Sequence, residues 1–182
     1  MALSKQLPAA FEANGFPLVE FDRKPVDQHP IRGFALAWNT DLTLVHLIEE
    51  HRFHLNGYAV FRNKDVRRWR EITPGRFLAR SAKPLKLSPS MPEGVAITSM
   101  KHAAASAGAA FPLITLHRER INRGVCYIGK VLRTSQRTVT VLPIDPQAEW
   151  DKAENHRLAE ITRLEFGGAY EDLLFRLADK KK

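Results

Sequence analysis

The sequence predicts a mainly β fold with accessory helices: two tandem small barrels, each preceded by a short helix, with a further helix at the C-terminus. Three observations support this prediction. Short apolar segments typical of strands recur at close spacing, the pattern of the first half returns 95 residues later, and a proline-rich stretch separates the halves. The predicted division is therefore copy one at 1–72, a Pro-rich linker at 73–96, and copy two with the C-terminal helix at 97–182.

The internal repeat is clearest where Phe16-Pro17-Leu18-Val19 recurs as Phe111-Pro112-Leu113-Ile114. Arg32-Gly33-Phe34 also resembles Arg123-Gly124-Val125, at an offset of 91, which indicates a local shift between strands. We interpret the repeat as an internal duplication. The offset of 95 also relates Thr43 to Thr138, Leu47 to Leu142, Arg62 to Arg157 and Val66 to Ile161.

Copy one is predicted to begin with a helix that Ser4 caps and that Asn14-Gly15 ends. Leu3, Leu7 and Phe11 would form its apolar stripe. Turn residues at Asn39-Thr40-Asp41 and Asn56-Gly57 then separate short strands. The predicted strands of copy one lie at about 17–21, 33–38, 42–49, 57–62 and 66–71.

Copy two is predicted to begin with an Ala-rich helix that runs from Thr98-Ser99 to about Gly108. Its predicted strands lie at about 112–118, 125–133, 138–144, 156–159 and 162–166. A final helix from about Ala169 to Ala178 would have an apolar face formed by Tyr170, Leu173, Leu174 and Leu177.

Composition places limits on the class of protein. The chain has 182 residues, of which 44% are hydrophobic and 26% are charged, as in an ordinary globular protein. No segment approaches the roughly 18 apolar residues of a membrane helix, and the N-terminus lacks the apolar stretch of a signal peptide. The single cysteine, Cys126, excludes an intrachain disulfide and a cysteine-based zinc site. We therefore expect a cytoplasmic protein with no membrane partner and no cofactor.

The net charge of +8 is concentrated in one region of the sequence. Between Arg62 and Lys86 the chain has nine basic residues and two acidic ones, Asp65 and Glu71. Such a cluster could bind phosphates or another acidic partner, or it could simply be a solvated surface. The candidate nucleic-acid contacts are Arg62, Lys64, Arg67, Arg68, Arg70 and Arg157, with Tyr58, Phe61 and Trp69 interleaved either as stacking platforms or as core residues.

A family resemblance supports this interpretation. The segment Tyr58-Ala-Val-Phe-Arg-Asn-Lys-Asp-Val-Arg-Arg-Trp69 resembles the second motif of the Sm/LSm family, and Gly33 followed by Asp41-Leu-Thr-Leu-Val-His-Leu47 resembles the first. Arg157-Leu-Ala-Glu-Ile161 is the matching remnant in copy two. The resemblance implies two small Sm-like (SH3-like) barrels that bind RNA, in a family whose subunits form rings. Small bacterial proteins with a Gly-Tyr…Arg…Asp-Val/Ile pattern are also similar, which favours a bacterial origin.

The sequence departs from the Sm/LSm pattern at the RNA pocket. The family's RNA-contacting Asn corresponds to Val45, and the Gly that follows the motif Arg corresponds to Asn63 in copy one and to Leu158 in copy two. The resemblance therefore implies a base-binding pocket that is not intact.

Other chemistry-bearing residues have simpler interpretations. His46, His51 and His54 lie near Glu49 and Glu50, but their spacing does not force metal ligands to converge. Cys126 has no visible activating base, so it is interpreted as a structural thiol. A cluster of carboxylates at Asp145, Glu149 and Asp151 could serve acid/base chemistry, or it could be an acidic loop anchored by Trp150.

The sequence thus predicts a non-enzymatic binding module with RNA as the favoured ligand. The alternative is a protein-protein interaction or scaffold module, which would expose an apolar patch, for example on the 169–178 helix. A distant alternative is a small enzyme that uses the 145–151 carboxylates. Exposed strand edges could also drive oligomerisation.

Overall fold

Ten antiparallel strands form one continuous sheet, in the order β5-β1-β2-β3-β4-β10-β6-β7-β8-β9. The structure, a computed structural model, describes residues 15–49, 54–72, 80, 85 and 87–180. The first five strands are β1 Leu18–Asp22, β2 Ile31–Trp38, β3 Leu42–Glu49, β4 His54–Arg62 and β5 Arg68–Glu71. The second five are β6 Ile114–His117, β7 Cys126–Thr134, β8 Thr138–Pro143, β9 Glu154–Arg157 and β10 Arg163–Phe166.

The predicted fold class is wrong in its closure. The described residues form a single open sheet, with α-helices α1 at Met100–Ala110 and α2 at Ala169–Asp179, instead of two separate closed barrels. The halves merge because β4 pairs with β10, from Phe61 opposite Arg163 to Tyr58 opposite Phe166. Local sequence patterns identify strands, but they do not specify which edges pair. The predicted helix at Ser4–Asn14 lies outside the described residues, and the domain division stays a prediction.

Both faces of the sheet are covered near its centre. Successive residues of a strand point to opposite faces, and the neighbours Leu44 and Val45 are both fully buried, in two different apolar clusters. The cluster around Val45 includes Phe21 and Phe61, whose rings meet edge to face with centroids 5.0 Å apart. The cluster around Leu44 contains residues of both halves, so one core stabilises the whole sheet.

The two helices cover part of the second half. Helix α1 is capped by Ser99, whose side chain accepts a hydrogen bond from the His102 amide at 3.2 Å, and the alanines of the helix pack into the larger cluster. Helix α2 buries Leu174 and Ala178 in a third cluster. Within the described part of the chain, neither helix has the length and apolar character needed to cross a membrane.

The strand order of the first half recurs in the second half. The order β5-β1-β2-β3-β4 matches β10-β6-β7-β8-β9, and a short 3-10 helix precedes the last strand of each half, at Asn63–Asp65 and at Leu158–Glu160. The strand pairings relate Val19 to Ile114 at an offset of 95 but Gly33 to Gly129 at an offset of 96. Gly124, by contrast, lies in the β6–β7 connection.

The end of the predicted linker, together with Ile97 just after it, packs against the core of the sheet. Leu87, Val95 and Ile97 contact the larger core cluster, and the Asn39 side-chain amide donates to the Ile97 carbonyl at 2.5 Å. This segment therefore behaves as part of the fold rather than as a free connection.

Candidate nucleic-acid interface

The β1–β2, β4–β5 and β6–β7 connections meet at one end of the sheet, beside the seam between the two halves. The Arg67 amide donates to the Asp22 carbonyl at 2.9 Å, which holds the β4–β5 connection against the end of β1. The Arg120 guanidinium, in the β6–β7 connection, pairs with Asp65, and its Nε lies 3.1 Å from the carboxylate. These contacts bring residues that are far apart in sequence onto one surface.

A buried ion pair fixes this junction. Arg23, whose side chain is fully buried, donates to both carboxylate oxygens of Glu119, at 3.1 and 2.6 Å. Glu119 also accepts from the Thr162 hydroxyl at 2.6 Å and lies 3.1 Å from Arg163. Burial alone would raise the pKa of Glu119, but the hydrogen bond from Arg23 and the charges of Arg163 and Arg23 outweigh it and lower the pKa.

Two acidic side chains of this end, Asp65 and Glu119, are buried while the cations face solvent, and Asp22 and Asp27 beside them are half-buried. The side chain of Asp65 is 0% exposed and that of Glu119 is 3% exposed, so both negative charges are withdrawn from the surface. We call the exposed cations of the three connections the basic corner; its members are Lys24, Lys64, Arg67, Arg120 and Arg123. An exposed set of cations of this kind attracts phosphates.

The predicted contact residues of the β4–β5 region divide into two groups. Lys64 and Arg67 are exposed and belong to the basic corner. Arg62 is half-buried, and its guanidinium donates to the carbonyls of Ile161 and Leu158, each at 2.7 Å. Arg62 therefore contacts the second half of the chain.

Arg68 and Arg70 face acidic neighbours on β1. Cross-strand pairing places Arg68 opposite Asp22 and Arg70 opposite Glu20, and Arg70 lies 2.5 Å from the Glu20 carboxylate. Arg32 approaches the same carboxylate from β2, at 2.5 Å. Burial alone would raise the pKa of Glu20, but hydrogen bonds and charges from Arg32 and Arg70 lower it.

Arg157 lies apart, at the end of β9, with its side chain 78% exposed. The aromatic residues offer little free surface, since Phe61 is fully buried and Tyr58 and Trp69 are half-buried. Tyr58 stacks on His46 at 4.3 Å between ring centroids. RNA contact by the six predicted residues stays a prediction.

The histidine and carboxylate candidates mostly serve local structure. Among the described residues, no group of three or more His, Cys, Asp or Glu side chains is placed to hold a metal ion, and His51 and Glu50 lie outside those residues. Asp145 accepts from the amides of Gln147 and Glu149, at 2.9 and 2.8 Å, which shapes its own loop. Burial, followed by the charge of Glu165, raises the pKa of Cys126, which opposes thiolate formation.

His46 gives the fold a pH dependence. Burial lowers the pKa of His46 to about 4, and its Nδ1 accepts from the Ser90 amide at 3.3 Å, which requires the neutral ring. In the unfolded chain His46 binds a proton near pH 6.5, whereas in the folded chain it binds one only near pH 4. The free energy of unfolding therefore falls as pH decreases from 6.5 towards 4. The total loss in the free energy of unfolding, reached below pH 4, is about 3 kcal/mol.

We expect His46→Asn, which keeps an acceptor but cannot titrate, to flatten this decline in urea unfolding measured between pH 6.5 and 5. His29→Asn is the matched control, because the His29 side chain is 94% exposed. Equal pH dependence in wild type and His46→Asn would contradict the assignment.

Sequence reasoning missed three members of the basic corner: Lys24, Arg120 and Arg123. The only local signal was the arginine-rich segment 118–123, which lies outside the basic segment from Arg62 to Lys86. Comparison with protein-family models, with curated proteins and with solved structures finds no match to this chain.

Proposed function

We propose that this protein is a non-enzymatic module that binds single-stranded RNA through the basic corner. The observation that carries the proposal is the separation of charge at this end of the sheet. Asp65 and Glu119 are buried in ion pairs, whereas Lys24, Lys64 and Arg67 are exposed together with Arg120 and Arg123 of the β6–β7 connection. Exposed cations bind backbone phosphates without sequence preference, and the released counterions favour association.

The resemblance to the Sm/LSm family supports the choice of RNA over other acidic ligands. We include in the proposal a distant relationship to that family, an internal duplication, a bacterial origin and a cytoplasmic location. Val45, Asn63 and Leu158 replace the family's pocket residues. The proposed contact is therefore with phosphates and does not use a base-specific pocket.

The direct test is a fluorescence-anisotropy titration of labelled single-stranded RNA at low salt. We expect Lys64→Gln/Arg67→Gln/Arg123→Gln to lower the affinity roughly tenfold or more, because three phosphate contacts are lost. Arg120 is left in place because it pairs with the buried Asp65.

The matched control is Lys130→Gln/Lys152→Gln/Arg176→Gln. These residues are exposed on β7, before β9 and on α2, and the control removes the same net charge. Equal losses in both triple variants would mean that net charge alone attracts RNA. No binding by the folded wild-type protein would reject the proposal.

A second candidate function is a protein-protein interaction or scaffold module. Its support is an apolar stripe on α2, where Tyr170, Leu173 and Leu177 are 51%, 55% and 44% exposed. Side chains three and four positions apart share a helix face, so these three form one patch. A folded wild-type protein that binds no RNA at low salt would favour this candidate.

A further inference from the structure

A cavity of about 320 Å³ lies where strands of both halves meet the start of α2. Residues of β3, β4, β6, β7 and β10 line it, together with the first turn of α2. Its volume falls within the range of sites for small organic molecules. No residue of the basic corner is among the described residues that line this cavity, so it is separate from the proposed RNA contact.

The lining of the cavity is acidic, although the net charge of the chain is +8. Glu165 and Glu171 line it, and none of the described lining residues is a lysine or an arginine. Thr115 lies opposite Glu165 in the pairing of β6 with β10, and its hydroxyl donates to Glu171 at 2.5 Å. Directly opposed side chains of an antiparallel pair are neighbours, so both carboxylates lie close to Thr115.

The cation beside Glu165 neutralises it only in part. Arg163 lies 3.2 Å from a Glu165 oxygen, but it also pairs with Glu119 at 3.1 Å and with Asp27 at 3.4 Å. Arg23 pairs with the same two carboxylates, Glu119 and Asp27. Two guanidinium groups thus face three carboxylates, and one negative charge of this network is left uncompensated.

His117 donates a hydrogen bond to Glu165 without adding a charge. A guanidinium can only donate, so the Arg163 nitrogen 3.3 Å from His117 Nδ1 makes that ring nitrogen an acceptor. The Nε2 atom then carries the proton of a neutral ring and donates to Glu165 at 3.3 Å. Burial alone would raise the pKa of Glu165, but the hydrogen bond from His117 and the charge of Arg163 outweigh it and lower the pKa to about 2. Glu165 is therefore an ionised carboxylate with room for further donors.

Apolar and aromatic side chains form much of the remaining lining. Leu47, Ile128 and the fully buried Phe166 contribute apolar surface, and Tyr170 is exposed at the start of α2. Aromatic faces attract organic cations, and apolar walls receive the hydrocarbon part of a ligand. The cavity therefore combines negative charge, an accessible aromatic ring and apolar walls, which together suit an organic ammonium ion.

We propose that this cavity binds a small organic amine, with its ammonium group beside Glu165 and Glu171 and its apolar part against Leu47 and Ile128. The ammonium group supplies the positive charge that the lining lacks and donates hydrogen bonds to the Glu165 carboxylate. The proposal goes beyond RNA binding. Because the two sites share no residue, the failure of either one leaves the other standing.

The test uses the whole chain and two probes of nearly equal size, phenethylamine and 2-phenylethanol. Phenethylamine is an ammonium ion at neutral pH, whereas 2-phenylethanol has an uncharged hydroxyl in the same place. In a titration followed by amide NMR spectra, we expect phenethylamine to bind about tenfold or more tightly than the alcohol. Its binding should shift the amide signals of Thr115, Ile128 and Glu165. No saturable shift with phenethylamine, equal affinity for both probes, or shifts confined to residues away from the cavity would overturn the proposal.

Removal of one charge tests the role of the carboxylate. Glu165→Gln keeps the length of the side chain and an acceptor for His117, so we expect phenethylamine binding to weaken about tenfold or more while 2-phenylethanol binding changes little. Glu93→Gln is the matched control, because Glu93 is exposed in the segment before α1 and does not line the cavity. Equal phenethylamine affinity in these two variants would contradict the proposal.

Tyr170→Ala tests the same site at an exposed position, where the fold is not at risk. We expect phenethylamine binding to weaken about two- to fivefold, because the aromatic face is lost. Leu173→Ala is the matched control, since Leu173 is similarly exposed on α2 but does not line the cavity. If Tyr170→Ala binds phenethylamine as tightly as Leu173→Ala does, the amine does not bind in this cavity.

Discussion

Replacing Arg23 with methionine is expected to lower the free energy of unfolding by about 3–5 kcal/mol. The guanidinium is fully buried and donates to both oxygens of Glu119. Methionine fills much of the same volume but leaves Glu119 as a buried charge without its main partner. Glu119 would keep Arg163, at 3.1 Å, and the Thr162 hydroxyl, but the loss of its bidentate partner inside the protein still costs more than the loss of an exposed ion pair, which is about 1 kcal/mol or less.

A double variant distinguishes this cause from a loss of packing. Arg23→Met/Glu119→Leu removes both charges together, and we expect it to recover most of the lost stability, because well-packed apolar pairs commonly equal buried ion pairs. Lys24→Met, at the exposed neighbouring position, should change stability by no more than about 0.5 kcal/mol. If Arg23→Met is as stable as Lys24→Met in urea unfolding, the buried pair does not stabilise the junction of the two halves.

Replacing Gly129 with alanine should cost about 3 kcal/mol or more. A Cβ at this position would overlap the Leu142 carbonyl oxygen on β8 and lie 2.6 Å from the Val141 side chain. The overlapped atom belongs to the backbone of a paired strand, so it cannot move away without breaking the β7–β8 ladder.

The matched control is Gly124→Ala, in the β6–β7 connection. The nearest atom to a Cβ there is the Asn122 side-chain oxygen, at 4.0 Å, so this change should be nearly neutral. Urea unfolding of both variants measures the difference. Equal stability of the two would show that β7 and β8 are not packed as closely as described.

The glycines also show what the sequence could and could not reveal. Strand positions were largely predictable from apolar patterns, as for β3 at 42–49, because a covered strand must be apolar. Matching Gly33 to Gly124, at an offset of 91, was wrong, because the strand pairings place Gly129 in the position of Gly33, at an offset of 96, and Gly124 lies before β7 begins. Gly129, the structurally equivalent residue, makes the same close approach to the following strand.

Edge pairing and cross-strand charges could not be predicted in this way. The pairing of β4 with β10 joins residues about 100 positions apart, and no local pattern specifies it. The basic segment from Arg62 to Lys86 likewise does not include Glu20 and Asp22, which face Arg70 and Arg68 from the neighbouring strand. The basic corner depends on contacts between three distant connections, so only part of it was visible in sequence.

The most direct test of the proposed RNA contact is the salt dependence of binding. The logarithm of the association constant for single-stranded RNA, plotted against the logarithm of salt concentration, should fall linearly with a slope of about −0.7 for each phosphate contacted. Wild type should therefore give a slope of about −2 or steeper, and Lys64→Gln/Arg67→Gln/Arg123→Gln a slope closer to zero by about two units. A slope near zero for wild type, or the same slope for both proteins, would contradict phosphate binding at the basic corner.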